Sequence, residues 1–164
     1  MSQDRIAALR ADLTTTHQAL LDTLDQVGPD DWLRPSPNEG WTIRDLLVHL
    51  TTAEVGFVPT LRRMSTGQGG VPADFDPNRW NASQIKRRAE ISADQLRPEL
   101  DRAHAEMLEL LDTLDEAALD YRGHLSSGSE GSTEDNFRLV ASHKRAHTDD
   151  MLAALATRSG AGRS

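Results

Sequence analysis

LVASHKRAHTDDML, residues 139–152, sets His143 and His147 four positions apart in a segment that also carries Leu139, Val140, Met151 and Leu152. Four positions make one helical turn, so both imidazoles leave the helix on the same side. On a helical wheel Val140, His143, His147, Met151 and Ala154 share one stripe, the stripe that such a helix buries. A buried imidazole pair needs hydrogen-bond partners, water or a metal. Two readings are open at this point: a pair of metal ligands, or two core histidines satisfied by polar neighbours.

An amphipathic helix needs partners, and the rest of the chain supplies them. Thr133 or Ser132 can cap this last helix, which should run to about Ala156. Ile6, Leu9, Leu13, Leu20, Leu24 and Val27 recur at the helical period and predict a first helix over about 3–27, stopped by GPDDW. After the Pro- and Gly-bearing loop LRPSPNEG, Thr42 and Asp45 form a capping-box pattern. They open a second helix with Ile43, Leu46, Leu47, Leu50, Phe57, Val58 and Leu61 on one stripe, ended by TGQGG. The long connection VPADFDPNRWN carries Phe75 and Trp80. A third helical region is expected from about Asn81, first a short piece to Ile91 and then, after a Ser92/Gln95 capping pattern, a longer one to Leu114 with a kink at Pro98. RGHLSSGSEGSTED reads as a flexible loop, and strand signals are nearly absent. LLDTLD occurs at 20–25 and again at 110–115, which we read as two Leu-rich helix ends. Long helices with one apolar stripe each pack as an all-α four-helix bundle. A single domain over residues 1–156 is expected, with 157–164 as a disordered tail.

Composition narrows the function. A net charge of −8 argues against nucleic-acid or acidic-membrane binding, because phosphate surfaces demand excess Lys and Arg. With no cysteine, disulfides, thiolate metal sites and a Cys nucleophile are excluded. Neither a signal peptide nor a membrane-spanning apolar run is visible, so a soluble cytoplasmic protein is expected.

Of the six histidines, His49 is the natural third member of a cluster. It lies on the flank of the second helix, beside Leu46 and Ala53, an edge position suited to a cleft. His17, His104 and His124 read as solvated helix-face or loop residues. Three neutral imidazoles suit zinc first, with nickel or iron as alternatives, and leave positions open for water or substrate. Asp45 and Asp150, each one turn from a candidate ligand, could orient imidazole N–H groups or be surface carboxylates.

WTIRDLLVHLTTAE, RWNASQI and ASHKRAH, in that order and spacing, resemble the DinB/YfiT-like superfamily. More closely they are similar to members grouped with the N-terminal domain of mycothiol-dependent maleylpyruvate isomerase. The resemblance spans about Arg5 to Leu155. It implies a four-helix bundle of up-down-down-up course with a metal at one end, held by His49, His143 and His147. It also implies that Trp80 and Asn81, at the start of the third helical region, lie near the metal and contact the thiol cosubstrate. For these two the residues alone suggest a loop tryptophan tucked on the core and a helix N-cap. The isomerases carry a carboxylate where His143 stands and have a second domain. The all-His set looks more like the branch that joins bacillithiol, mycothiol or glutathione to an electrophile.

The function expected is therefore a metal-dependent S-transferase that uses a small thiol such as mycothiol on a small electrophile. A metal-dependent hydrolase with Glu54 or Asp150 as base, and a non-enzymatic metal-binding module, are the alternatives. A homodimer through helix faces is left open.

Overall fold

Five α-helices and one short hairpin make up the chain in the computed structural model, which describes residues 4–159. The helices are α1 (Asp4–Leu24), α2 (Ile43–Ser65), α3 (Pro77–Arg87), α4 (Ala93–Asp112) and α5 (Thr133–Ala156). The hairpin strands are β1 (Arg122–His124) and β2 (Glu130–Ser132).

Capping chemistry places most of the helix starts. Thr42 with Asp45 opens α2, Ser92 with Gln95 opens α4, and Ser132 with Asp135 opens α5, each as a reciprocal capping box. Asp76 caps α3 and Pro77 follows at the first helical position, where its missing N–H is not needed. The third helical region thus begins four residues before Asn81, and Asn81 is a helix-interior residue rather than a cap. Pro98 lies early in α4, which runs on through it without a break.

Helices α1, α2, α4 and α5 form a four-helix bundle, and α3 lies against α2. Cross-helix bonds give the directions. Arg5 meets Glu134 and Arg145 meets Asp12, so α1 and α5 run parallel. Arg10 meets Asp112 and His17 meets Asp101, so α4 runs against α1. Glu54 meets Lys144 while Asn136 reaches Met64, so α2 runs against α5. The course is up-down-down-up.

Two apolar clusters fill the bundle. One gathers Leu13, Phe57, Leu61, Met107 and Phe137; the other gathers Leu20, Leu46, Leu50, Leu100 and Met151. Between them every bundle helix contributes one polar residue: His17 from α1, Glu54 from α2, His104 from α4 and Lys144 from α5. All four are buried, Lys144 to 1% exposure. This corrects the expectation of a solvated surface for His17 and His104; only His124, on β1, is substantially exposed. The reason is phase. His17 sits between Leu13 and Leu20, and His104 between Leu100 and Met107, at the spacing of the core positions themselves.

The segment expected to be a flexible loop is instead the antiparallel hairpin, with Gly123 opposite Gly131. Gly128 takes a left-handed φ of 93° in its turn, which a side chain would disfavour. A Cβ on Gly123 would come within 2.5 Å of the Gly70 nitrogen, so glycine there lets the α2–α3 connection close on the hairpin. Of the tail expected from residue 157, Thr157–Ser159 form a 3-10 turn, and Arg158 ties it to Asp31. The remaining tail positions lie outside the described residues. The two LLDTLD segments feed opposite apolar clusters, in keeping with two unrelated Leu-rich ends.

Candidate functional site

His49 lies two turns into α2 and faces α5, where His143 and His147 are one turn apart. Helix geometry does the rest: the antiparallel contact of α2 with α5 brings all three rings together, their centroids 4.6 to 4.8 Å apart. One nitrogen from each falls within 4.8 Å of the others. His49 Nε2 and His143 Nε2 are 2.7 Å apart.

The surroundings keep two of these rings, His49 and His143, unprotonated. Burial and the nearby His147 lower the His49 pKa from 6.5 to about 4. Burial, with His49 and His147 beside it, lowers that of His143 to about 3. Both are therefore neutral at pH 7, with lone pairs available. His147 Nδ1 lies 3.0 Å from Asp150 Oδ2 and 3.2 Å from the Asn38 amide nitrogen, which also donates to Asp150 at 2.9 Å. Nδ1 can donate to the carboxylate or accept from the amide, not both. A carboxylate accepts, so the consistent tautomer puts the proton on Nδ1 and leaves Nε2 bare toward the cluster. Asn81 stands beside His49 and favours its protonated form, yet His49 Nδ1, fully buried, closes no hydrogen bond of good geometry.

Three converging imidazole nitrogens, once free of protons, are a donor set for a borderline divalent metal. Two nitrogens bound tetrahedrally to one zinc sit about 3.3 Å apart, from bonds of ~2.0–2.1 Å. The spacings here bracket that value, and small ring rotations would equalise them. The orphaned His49 Nδ1 fits as well, because metallation at Nε2 leaves an N–H on Nδ1 that Asn81 can accept.

Beside the cluster opens a cavity of about 340 Å³, walled by α2, α3 and α5 together with the α2–α3 connection and the hairpin turn. His49, His143, Trp80 and Asn81 all line it. Its wall is chiefly apolar, from residues such as Phe57, Phe75 and Leu139. No Asp, Glu, Lys or Arg lines it among the described residues.

The sequence matches the DinB superfamily over residues 12–151. The chain belongs to that superfamily. No curated protein matches the sequence. In fold, this DinB-superfamily chain is similar to mycothiol-dependent maleylpyruvate isomerase, with a TM-score of 0.77 at 16% identity, covering 89% of this chain and 60% of the isomerase. The chain thus spans about three fifths of that protein's length. It is also similar to an uncharacterised protein from Escherichia coli UTI89, with a TM-score of 0.75 at 13% identity over 94% of each chain. A protein described as a four-helix bundle matches with a TM-score of 0.64 at 23% identity, over 90% of this chain and 98% of that one. At these identities the likeness is one of fold.

Several residues depart from their sequence reading. Within α5, Val140, Lys144, Thr148 and Met151 make the fully buried row, while His143 and His147 are only half-buried beside it. Asp150 touches His147, but Asp45 is occupied by the Thr42 cap. Glu54 faces away from the cavity toward Lys144. Sequence reasoning missed Asn38 and Trp41, both brought in by the loop between α1 and α2. The Pro35–Thr42 bridge closes that loop, the Ile43 and Arg44 N–H groups tie it to α2 by donating to Arg34 and Trp32, and the Trp41 ring centroid stands 4.8 Å from that of His49. The cue was available: an aromatic residue directly before an N-cap is placed at the helix mouth.

Proposed function

We propose that this protein is a metal-dependent S-transferase that joins a small thiol to a small electrophile. One observation carries the reading: three imidazoles converge, and two of them, the neutral His49 and His143, line a chiefly apolar cavity with no charged side chain among the described residues. His49, His143 and His147 would hold a divalent ion, zinc first and nickel or iron next. Such an ion supplies the acidification of a thiol, whose ordinary pKa is about 8.5, so that thiolate is present at neutral pH. The mycothiol dependence of the isomerase that shares the fold supports a thiol of that kind as cosubstrate.

The residues of the chain do the remainder. Asp150, with Asn38, holds the His147 proton on Nδ1 and so keeps Nε2 directed inward. Trp41 covers the outer side of His49 and His147 and excludes water. Trp80 and Asn81 flank the open side, where the thiol and the electrophile meet. In the transfer the sulfur lone pair forms the C–S bond, the electrophile's leaving group or π electrons take the displaced pair, and the thiol proton goes to solvent. The hydrolase alternative lacks its base: Glu54 is bound to Lys144, Asp150 stands behind His147, and no carboxylate lines the cavity among the described residues.

Cobalt substitution tests this directly. Mycothiol added to the cobalt form should produce a sulfur-to-cobalt charge-transfer band in the near ultraviolet, and His147→Ala should abolish it. A cobalt spectrum indifferent to a panel of small thiols would sink the transferase reading.

A further inference from the structure

Gly56 sits in the interior of α2, where glycine costs roughly 1 kcal/mol relative to alanine. Two ordinary reasons for such a glycine are absent. Its φ is not positive, unlike those of Gly40, Gly67, Gly69 and Gly128. Nor is it crowded, since a Cβ built on it would meet only the Trp80 ring, at 3.7 Å from Cη2 and Cζ2, an ordinary van der Waals contact. The fold therefore tolerates alanine at this position. What stands where the side chain would be is the Trp80 indole, seated against α2 at Gly56, and both residues line the cavity. His49, buried to 6% exposure and with an unpartnered Nδ1, stands at the same wall two turns earlier on α2.

We propose that Gly56 and Trp80 together gauge the cavity for the uncharged, flat apolar body of the electrophile, and that Gly56 is the specificity-determining residue. This rests on the reading that the histidine end of the cavity is the reacting end. Three observations select the ligand. The cavity has no cationic side chain to balance a carboxylate, so an anionic group would be desolvated without compensation. The Trp80 indole, held against the bare stretch of helix at Gly56, gives the cavity a broad aromatic wall that suits a ring or planar chain. A volume of about 340 Å³ holds roughly eleven waters at ~30 Å³ each, enough for a bicyclic aromatic group.

The probes are 2-naphthamide and 2-naphthoate, which share a ring system and differ in charge. Binding is measured by calorimetry and Trp fluorescence on the full chain, as purified and after chelation, so that a carboxylate held by a metal is recognised by its loss on chelation. The chelated protein should bind the amide at least tenfold more tightly than the carboxylate. Gly56→Leu should weaken amide binding at least tenfold while leaving zinc stoichiometry unchanged. Gly56→Ala should raise the melting temperature and weaken the amide less. If Gly56→Leu fails to fold, Trp80→Ala decides, and it should lower amide affinity by removing the aromatic wall that Gly56 seats. Equal binding of amide and carboxylate after chelation overturns the proposal, as does amide binding indifferent to both substitutions. These outcomes are independent of the thiol: amide binding with no thiol response defeats the transferase reading alone, and a thiol response without amide binding defeats this one alone.

Discussion

The bundle holds two groups of buried histidines, and they differ in how their nitrogens are used. In the polar layer, Lys144 donates to Glu54 at 2.9 Å and to His17 Nδ1 at 3.1 Å, and His17 Nε2 donates to Asp101 at 3.0 Å. His104 stacks on His17 with centroids 3.8 Å apart and leans toward Glu54 at 3.6 Å, close enough for attraction but too long for a hydrogen bond. Burial by itself would raise the Glu54 pKa, yet His104 and Lys144 outweigh it and hold it below the usual carboxylate range. The layer bonds chiefly within itself, although His104 Nδ1 is left without a partner, and none of its four residues lines the cavity beside the His49 cluster. In the His49 cluster the ring nitrogens face one another, His49 and His143 line a cavity, and the support comes from outside, through Asp150 and Asn38. Burial of a histidine therefore says little about function, and so does an unpartnered nitrogen; convergence with other imidazoles beside a cavity says more.

Breaking the closed layer should give the largest effect. Lys144→Ala leaves Glu54 buried without its cation, and urea denaturation should report a loss of about 3–5 kcal/mol. The paired substitution Glu54→Leu with Lys144→Met removes both charges and should recover most of that loss. A single-variant cost under ~1 kcal/mol would mean that the layer is not holding the bundle together.

The open cluster should respond in affinity rather than in stability. Asp150→Asn keeps the shape but weakens the hold on the His147 proton. Zinc affinity should fall about 10–100-fold, with little change in the urea midpoint of the metal-free protein. A competition titration with a chromophoric chelator measures it. Unchanged affinity would remove Asp150 from the site.

Acid acts on both regions, since His17, His49 and His143 all have lowered pKa values, and His17 carries the share of the polar layer. Burial and the Lys144 charge lower the His17 pKa from 6.5 to about 3. The unfolded chain therefore takes up this proton first as the pH falls. The stability is complete above pH 6.5 and is lost progressively as the pH drops toward 3. Between pH 7 and 5.5 the His17 contribution is about 1 kcal/mol. His17→Phe should flatten the stability profile by that amount, as read from urea midpoints at the two pH values. An unchanged profile would place the proton uptake elsewhere.

The sequence by itself determined the helices, because capping boxes and apolar periodicity act within a few residues. Thr42 with Asp45, Ser92 with Gln95 and the stripe of α2 were all legible without any tertiary information. The candidate triad was legible too, since one turn separates His143 from His147 and the family motif supplies His49. Only the tertiary structure decided what each polar core residue meets. Lys144 lies in phase with Val140 and Met151, but nothing local says that Glu54 and His17 will be there to satisfy it. The same holds for Asn38 and Trp41, whose loop is held at the start of α2 by backbone bonds from Ile43 to Arg34 and from Arg44 to Trp32, and for Gly56, which seats a tryptophan from another helix. Local chemistry is written in neighbouring residues; the partner of a buried charge, and the shape of a cavity, exist only once distant helices have packed.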